Sequence, residues 1–293
     1  MPDKKVQYLA EAALLKLMLA FCRLLGLDRS SALGGWLGRH IGPKLGLTRR
    51  ARRRIARAMP NLSEAEIEKI IIGMWDNLGR TAFEYAHLDK FGRPEERHRI
   101  ELIGAETLKS YAAAGTGGIL VSGHFANWEL MPLVMALEGI DGGGVYRAAN
   151  NPYVNDWMVS MRATLIVPEQ IPKGPKGARQ LIQAMRSKRF VAMLIDQKLR
   201  EGIQVKFFGL PAMTAPTPAG FAVRYGVPLV PACIERTTGA HFRLTVYPAI
   251  EVHKDAEPAA EIVRLTQEVN NFLEARIREK PENWFWLHNR WDE

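Results

Sequence analysis

The sequence predicts an α/β fold: a mixed, largely parallel sheet flanked by helices, with a helical, membrane-associating extension at its N-terminus. Three observations carry this. From about residue 100 onward, short apolar runs alternate with longer stretches of helical periodicity, the pattern of strands connected by covering helices. The run Gly117-Gly118-Ile119-Leu120-Val121 is apolar throughout and bounded by glycine, which suits a strand buried on both faces. The first sixty residues differ in kind, being an apolar helical stretch followed by dense positive charge.

A chain of 293 residues with 47% hydrophobic and 24% charged residues has ample material for a core and no composition suggesting disorder. No Gly/Ser- or Pro-rich linker divides it. The expected organisation is an N-terminal helical and basic segment over residues 1–60, followed by an α/β domain over residues 61–293. Cys22 and Cys233 are far apart in apolar contexts, which argues against a disulfide framework and for a reducing compartment. The net charge of +9 favours an anionic partner but does not choose among lipid, acidic protein and nucleic acid.

Residues 6–27 form an apolar helical pattern interrupted by Glu11, Lys16 and Arg23. A spanning helix needs ~20 residues with few or no charges. The segment therefore reads as a helix lying in a membrane interface with its basic side chains reaching outward, or else as a core helix. Arg49, Arg50, Arg52, Arg53, Arg54 and Arg57 follow within nine residues. Such density after an apolar helix suits a segment held against anionic headgroups. No aromatic residue interleaves the arginines and no nucleic-acid-binding signature accompanies them, so nucleic acid is not the expected partner.

Ser63-Glu64-Ala65-Glu66 reads as a capping box opening a helix to about Leu88. Strands are expected at residues 100–103, 118–122, 144–147, 190–195, 228–234 and 242–248. Helices are expected at 107–114, 128–137, 153–162, 177–187, 218–225 and 259–278.

Ser122-Gly123-His124-Phe125-Ala126-Asn127-Trp128-Glu129 lies at a strand-to-helix junction, with Asn127 as the expected cap. On an uninterrupted helix, residues five apart stand about 140° apart and do not touch. With His124 on the preceding turn, Glu129 can reach back to one ring nitrogen and leave the other facing a cleft. That is the arrangement of a general base with its orienting carboxylate, and free amides at the helix start would stabilise an oxyanion. A capping histidine is the alternative. In an open sheet the site lies at the carboxyl ends of the strands. This brings in Arg147, and Asp196 with Gln197, which end a run of five apolar residues. Arg147 and Arg162 have the chemistry to hold phosphate or polarise a carbonyl, or to form surface ion pairs.

No metal-ligand spacing, G-x-G-x-x-G or P-loop pattern is present, so no metal and no cofactor are expected. Lys173-Gly174-Pro175-Lys176-Gly177 has phosphate-friendly composition but lacks P-loop spacing.

These stretches, in order, are Gly123 through Glu129, Tyr146-Arg147, Asn151-Pro152, Asp196-Gln197, Phe207-Phe208-Gly209 with Thr214, and Pro281 through Trp291. The ordered set resembles the late acyltransferases of lipid A biosynthesis, the lauroyl/myristoyl acyltransferase family, related to the H-x-x-x-x-D/E glycerolipid acyltransferases. The resemblance implies that His124 is the base and Glu129 its partner. The transfer would run from an acyl-carrier-protein thioester to a hydroxyl on a Kdo-bearing lipid A precursor, a phosphorylated glycolipid. It implies that Arg147, Asn151, Arg162, Asp196 and Gln197 line the substrate cleft, and that the protein works without a cofactor at the cytoplasmic face of the inner membrane. The alternatives are acyl transfer to another glycolipid or a lysophospholipid, and a nonenzymatic protein that binds anionic membrane or nucleic acid. Trp284-Phe285-Trp286 and Trp291 read equally as an aromatic belt at the lipid interface or as core.

Overall fold

The computed structural model describes residues 4–165 and 169–292. Its N-terminal part is helical: α1 (Lys4–Leu25), α2 (Leu27–Ile41), α3 (Gly46–Ala58), α4 (Glu64–Glu84) and the short α5 (Leu88–Phe91). Gly26, at φ +79°, separates α1 from α2. The Ser63 capping box is formed, with Ser63 and Glu66 exchanging side-chain and backbone hydrogen bonds. α2 crosses α4 with backbones nearly touching, because a Cβ on Gly34 would lie 2.3 Å from the Gly79 carbonyl oxygen.

From there the chain alternates: β1 (Ile100–Ile103), α6 (Glu106–Ala113), β2 (Gly118–Ser122), α7 (Leu133–Leu137), β3 (Gly142–Tyr146), α8 (Pro152–Leu165), β4 (Glu169–Pro172), α9 (Pro175–Arg186) and β5 (Phe190–Leu194). A hairpin follows, β6 (Ile203–Phe207) and β7 (Leu210–Thr214), then α10 (Thr217–Tyr225), β8 (Leu229–Thr238), β9 (His241–Val246) and α11 (Pro258–Glu279). The main sheet has seven strands in the order β1-β9-β8-β2-β5-β3-β4. Every neighbouring pair in it is parallel except β8 with β9. β2 is buried at all five positions, as a central parallel strand covered on both faces requires. The α/β class and the helical N-terminal region are thus as the sequence predicts. β4 and the β6/β7 hairpin are additions to that reading.

Two N-terminal expectations gain detail. α1 turns Val6, Leu9, Leu14, Leu17, Phe21 and Leu24 to solvent while burying Ala12, Leu19 and Cys22. Among the described residues no helix is long and apolar enough to cross a membrane. The arginine run is divided by the geometry of α3. Arg54 is buried and donates to the carbonyls of Trp286 and Leu287, and Arg57 donates to the Asp292 carbonyl. Arg52 pairs with Glu68, while Arg49, Arg50 and Arg53 are exposed. The run therefore clamps the C-terminal segment on one side and faces water on the other.

The closing aromatic segment is core. Trp284, Trp286 and Trp291 are each at most 2% exposed and stack with Phe207 and Phe208 of the hairpin. Arg290 is buried with them and donates to Met213 O, Thr214 Oγ1 and Asn270 Oδ1. Burial pushes its guanidinium down to about 10, against the pull of the Asp196 charge.

Candidate active site at the strand ends

Ser122 of β2 lies in register with Leu194 of β5, so His124 and Asp196 stand the same two steps beyond adjacent parallel strands. The chain between is tightly folded. Gly123 is pressed against Asp196, and a Cβ there would meet the Phe125 ring at 2.9 Å and Asp196 Oδ2 at 3.2 Å. Ala126 adopts φ +43°, an uncommon conformation for a side-chain-bearing residue. Its surroundings hold it: its N–H donates to Asn283 O, and its carbonyl accepts from Asn77 Nδ2 and Thr81 Oγ1 of α4. Asn127 donates to Glu84, whose carboxylate also receives Arg236 and Ser31.

His124 Nδ1 lies 2.7 Å from Asp196 Oδ1, and its backbone N–H donates to Asp196 Oδ2 at 2.8 Å. The Trp284 indole also donates to Oδ2, at 2.7 Å. Burial would raise the Asp196 carboxyl, and the His124 charge and hydrogen bond outweigh it, so the group is held well below the usual carboxylate range. An ionised carboxylate only accepts, so Nδ1 carries a hydrogen and Nε2 is the ring nitrogen left for the cleft. Nε2 faces the cleft with the Gln197 amide 3.4 Å away, and that amide also lies 3.5 Å from His288 Nε2. Burial beside these groups pushes His288 down to about 3, which keeps it neutral.

The carboxylate that the sequence assigned to His124 is therefore the wrong one. Glu129 instead receives both Nε and Nη2 of Arg162, at 2.7 and 2.6 Å, and the Tyr85 hydroxyl at 2.6 Å. Burial would raise its carboxyl, and Arg162 more than reverses this, holding it low. The physical reason is the helix start. No long helix begins at Asn127: a single 3-10 turn over Trp128–Leu130 runs into Pro132, and α7 begins only at Leu133. Asn127 makes no side-chain cap there, and a three-residue turn has no aligned set of amides to offer an oxyanion.

His124, Glu129, Arg147, Arg162 and Gln197 all line one cleft of about 320 Å³, with Asp196 buried directly behind His124. The rest of its wall is largely apolar, including Met131, Pro132, Val145, Met158 and Met193. Asn151 is not in this wall. Its amide ties α8 to α1 through Tyr8 O and Glu11 Oε2, and its carbonyl receives Tyr153 N–H at the start of α8. Tyr85, His288 and Lys173 line the cleft without having been singled out as site residues from sequence. His124, Asp196 and His288 offer ligand atoms within 4.8 Å of one another, a spacing compatible with a cation. Both Asp196 oxygens already accept from His124 and Trp284, however, and ligation would break those bonds.

With this geometry in hand, comparison with known sequences is decisive. A sequence model of the bacterial lipid A biosynthesis acyltransferases matches residues 2–293. The chain belongs to that family. Among its relatives, a phosphatidylinositol mannoside acyltransferase of Mycobacterium tuberculosis is 23% identical over 263 residues, covering 87% of this chain and 79% of the relative. The lipid A biosynthesis lauroyltransferase of Escherichia coli K12 is 24% identical over 245 residues, 81% of this chain and 76% of the relative. A Mycolicibacterium smegmatis phosphatidylinositol mannoside acyltransferase is 25% identical over 226 residues, with 72% and 68% covered. The family is thus one of acyl transfer to glycolipids.

Proposed function

We propose that this family member moves a fatty acyl chain from an acyl-carrier-protein thioester to a hydroxyl of a Kdo-bearing lipid A precursor. The observation that carries the reading is the His124–Asp196 pair, with Nδ1 held by a buried carboxylate and Nε2 turned into a largely apolar cleft. In this scheme Nε2 takes the proton from the acceptor hydroxyl as its oxygen attacks the thioester carbonyl. Asp196 stabilises the imidazolium, and the Gln197 amide beside Nε2 is a donor available to the developing oxyanion. The tetrahedral intermediate then expels the thiolate, and the imidazolium returns the proton to sulfur. Glu129 acts at one remove, fixing Arg162 and Tyr85 along the cleft wall.

A second glycolipid acceptor remains in view because relatives named as phosphatidylinositol mannoside acyltransferases match this chain over a comparable span. The apolar face of α1 supports attachment of the protein to a membrane surface as an interfacial helix, and the proposal places that surface at the cytoplasmic face of the inner membrane.

The test is transfer by purified protein from acyl-acyl-carrier protein to detergent-dispersed acceptors, read by mass spectrometry. A lipid A precursor and a phosphatidylinositol mannoside are offered in parallel. Acylation of the first is expected, and acylation of the second alone would move the assignment to that acceptor. Failure of the wild type on both, alongside tight salt-sensitive nucleic-acid binding, would overturn the enzymatic reading. Sedimentation with anionic vesicles, reduced by removal of α1, tests the attachment.

A further inference from the structure

One pair of charges in the cleft has no ion-pair partner among the described residues. Arg147 and Lys173 are each the first residue beyond a strand, and β3 and β4 pair in register with Tyr146 opposite Pro172. The ladder continues one step further, with Lys173 N–H donating to Tyr146 O at 2.8 Å. Residues at equivalent steps on neighbouring parallel strands stand about 4.8 Å apart and project to the same side. Both side chains line the cleft that His124 faces.

Among the described residues, no carboxylate forms an ion pair with either of them. The contrast with the surrounding cations is sharp. Arg162, on the same cleft wall, is saturated by Glu129. Arg189, at the opposite ends of the same strands, is held by Asp141 and Glu169. Both residues are exposed at the cleft, where two like charges side by side repel and an anion between them would relieve that repulsion. Desolvation along the cleft wall pushes the Lys173 ammonium down, the Asp196 charge pulls it part of the way back, and the Arg147 charge adds a smaller downward push.

We infer that Arg147 and Lys173 form a phosphate-binding subsite of the acyl-transfer cleft, so that one substrate is held by its phosphate while His124 works on its other end. A guanidinium contributes paired donors in a fixed plane and an ammonium a compact point charge, a combination suited to a phosphate ester rather than to a neutral sugar. The inference rests on the acyl-transfer reading of the cleft. Under that reading the phosphate has two sources: the phosphopantetheine arm of the donor and the phosphorylated headgroup of the acceptor. Lys173 opens the segment that leads into α9, whose Gly174 at φ +116° turns the chain sharply away from the strand.

The experiment uses full-length protein and the double variant Arg147→Gln/Lys173→Gln. Two matched ligand pairs are titrated by calorimetry: 4′-phosphopantetheine against pantetheine, and a phosphorylated glycolipid in detergent against the same lipid after phosphatase treatment. In the wild type, one phosphorylated ligand is expected to bind on the order of tenfold more tightly than its dephosphorylated partner, and the gap is expected to vanish in the double variant. The ligand for which this happens identifies the source. In turnover, KM for that substrate alone should rise by a similar factor. Should the double variant lose its fold by circular dichroism, the single variants are used, each expected to close part of the gap.

Equal binding of both members of each pair by the wild type would overturn the subsite, as would wild-type affinity for both phosphorylated ligands in the folded double variant. A wild type that transfers no acyl chain but shows the phosphate-dependent gap would instead sink the acyl-transfer reading and leave an anion site standing.

Discussion

Asp196 is fully buried behind one cleft and Glu129, its side chain 8% exposed, lines it, and both carboxyls are held low. They differ in what they hold. Asp196 fixes the His124 imidazole through Nδ1 and leaves that ring's other nitrogen facing the cleft. Glu129 is saturated by a permanent cation, with Tyr85 as a third donor, and retains no freedom to exchange protons. Placement along the chain favours Glu129 as the partner of His124, five residues away. Placement in space favours Asp196, seventy-two positions on but at the same step beyond the neighbouring strand. The role of a buried acid follows from the pKa of the group it faces, not from its own burial.

Substitutions rank the two regions. His124→Ala should cause the largest loss, about 10³-fold or more in kcat with the fold intact, measured as acyl transfer by the purified protein. Asp196→Asn should follow closely, at about 10²- to 10⁴-fold, because an amide no longer specifies which ring nitrogen carries the hydrogen. Near-normal turnover in a folded Asp196→Asn protein would return the orienting role to another group.

Glu129→Gln should act mainly on stability. It leaves the Arg162 guanidinium in a site 17% exposed without its counter-charge, costing about 3 kcal/mol in denaturant unfolding, with a smaller effect on turnover than Asp196→Asn. Adding Arg162→Met should recover part of that stability. If Glu129→Gln instead abolished turnover while leaving the unfolding midpoint unchanged, the distinction between the two carboxylates would collapse.

His288 gives a pH signature on the Asp196 side. Its folded value is depressed to about 3 against an ordinary value near 6.5, so the unfolded chain binds the extra proton between those limits. Stability from this group is complete above about pH 6.5 and is lost as pH falls toward 3, by roughly 1–3 kcal/mol once solvent screening at the cleft is allowed for. His288→Gln should flatten the unfolding free energy over that window. An unchanged slope would mean that the ring is already protonated in the native state. Tyr85→Phe should be the mildest change, about 1 kcal/mol of stability for one lost hydrogen bond to Glu129, checked by thermal unfolding.

Much of this arrangement is legible before any coordinates. Period and punctuation identify the helix opening at Ser63, the buried β2 and the long α11, and the strand-end rule gathers His124, Arg147, Asp196 and Gln197 into one cleft. The periodic pattern over residues 128–137 runs through Pro132, whose ring is incompatible with a helix interior, and with that helix interrupted Glu129 does not reach back to His124. Asn151 enters the expected site by resemblance alone, and its amide reaches back to Glu11 on the first helix. The β6/β7 hairpin was missed although Ile203, Val205 and Phe207 alternate with polar residues, because the turn at Phe208-Gly209 is not one of the familiar two-residue signals. For the tryptophans no local pattern separates core from interface. Their burial is decided by Arg54, Arg290 and the hairpin, each distant in sequence.

The strand order also sets a timetable for assembly. Only β6 with β7 and β8 with β9 are joined by short turns, while every parallel pair in the main sheet awaits a partner from elsewhere in the chain, as Ile100 awaits Phe242 and Ile119 awaits Leu229. Closing loops of that length is entropically slow, so the two hairpins and the helical crossing of α2 on α4 have time to form long before the central strands meet. Through that interval β2 is an uncovered apolar ribbon. The chain is consequently most exposed to misassociation just before the strand that leads to His124 finds its neighbours.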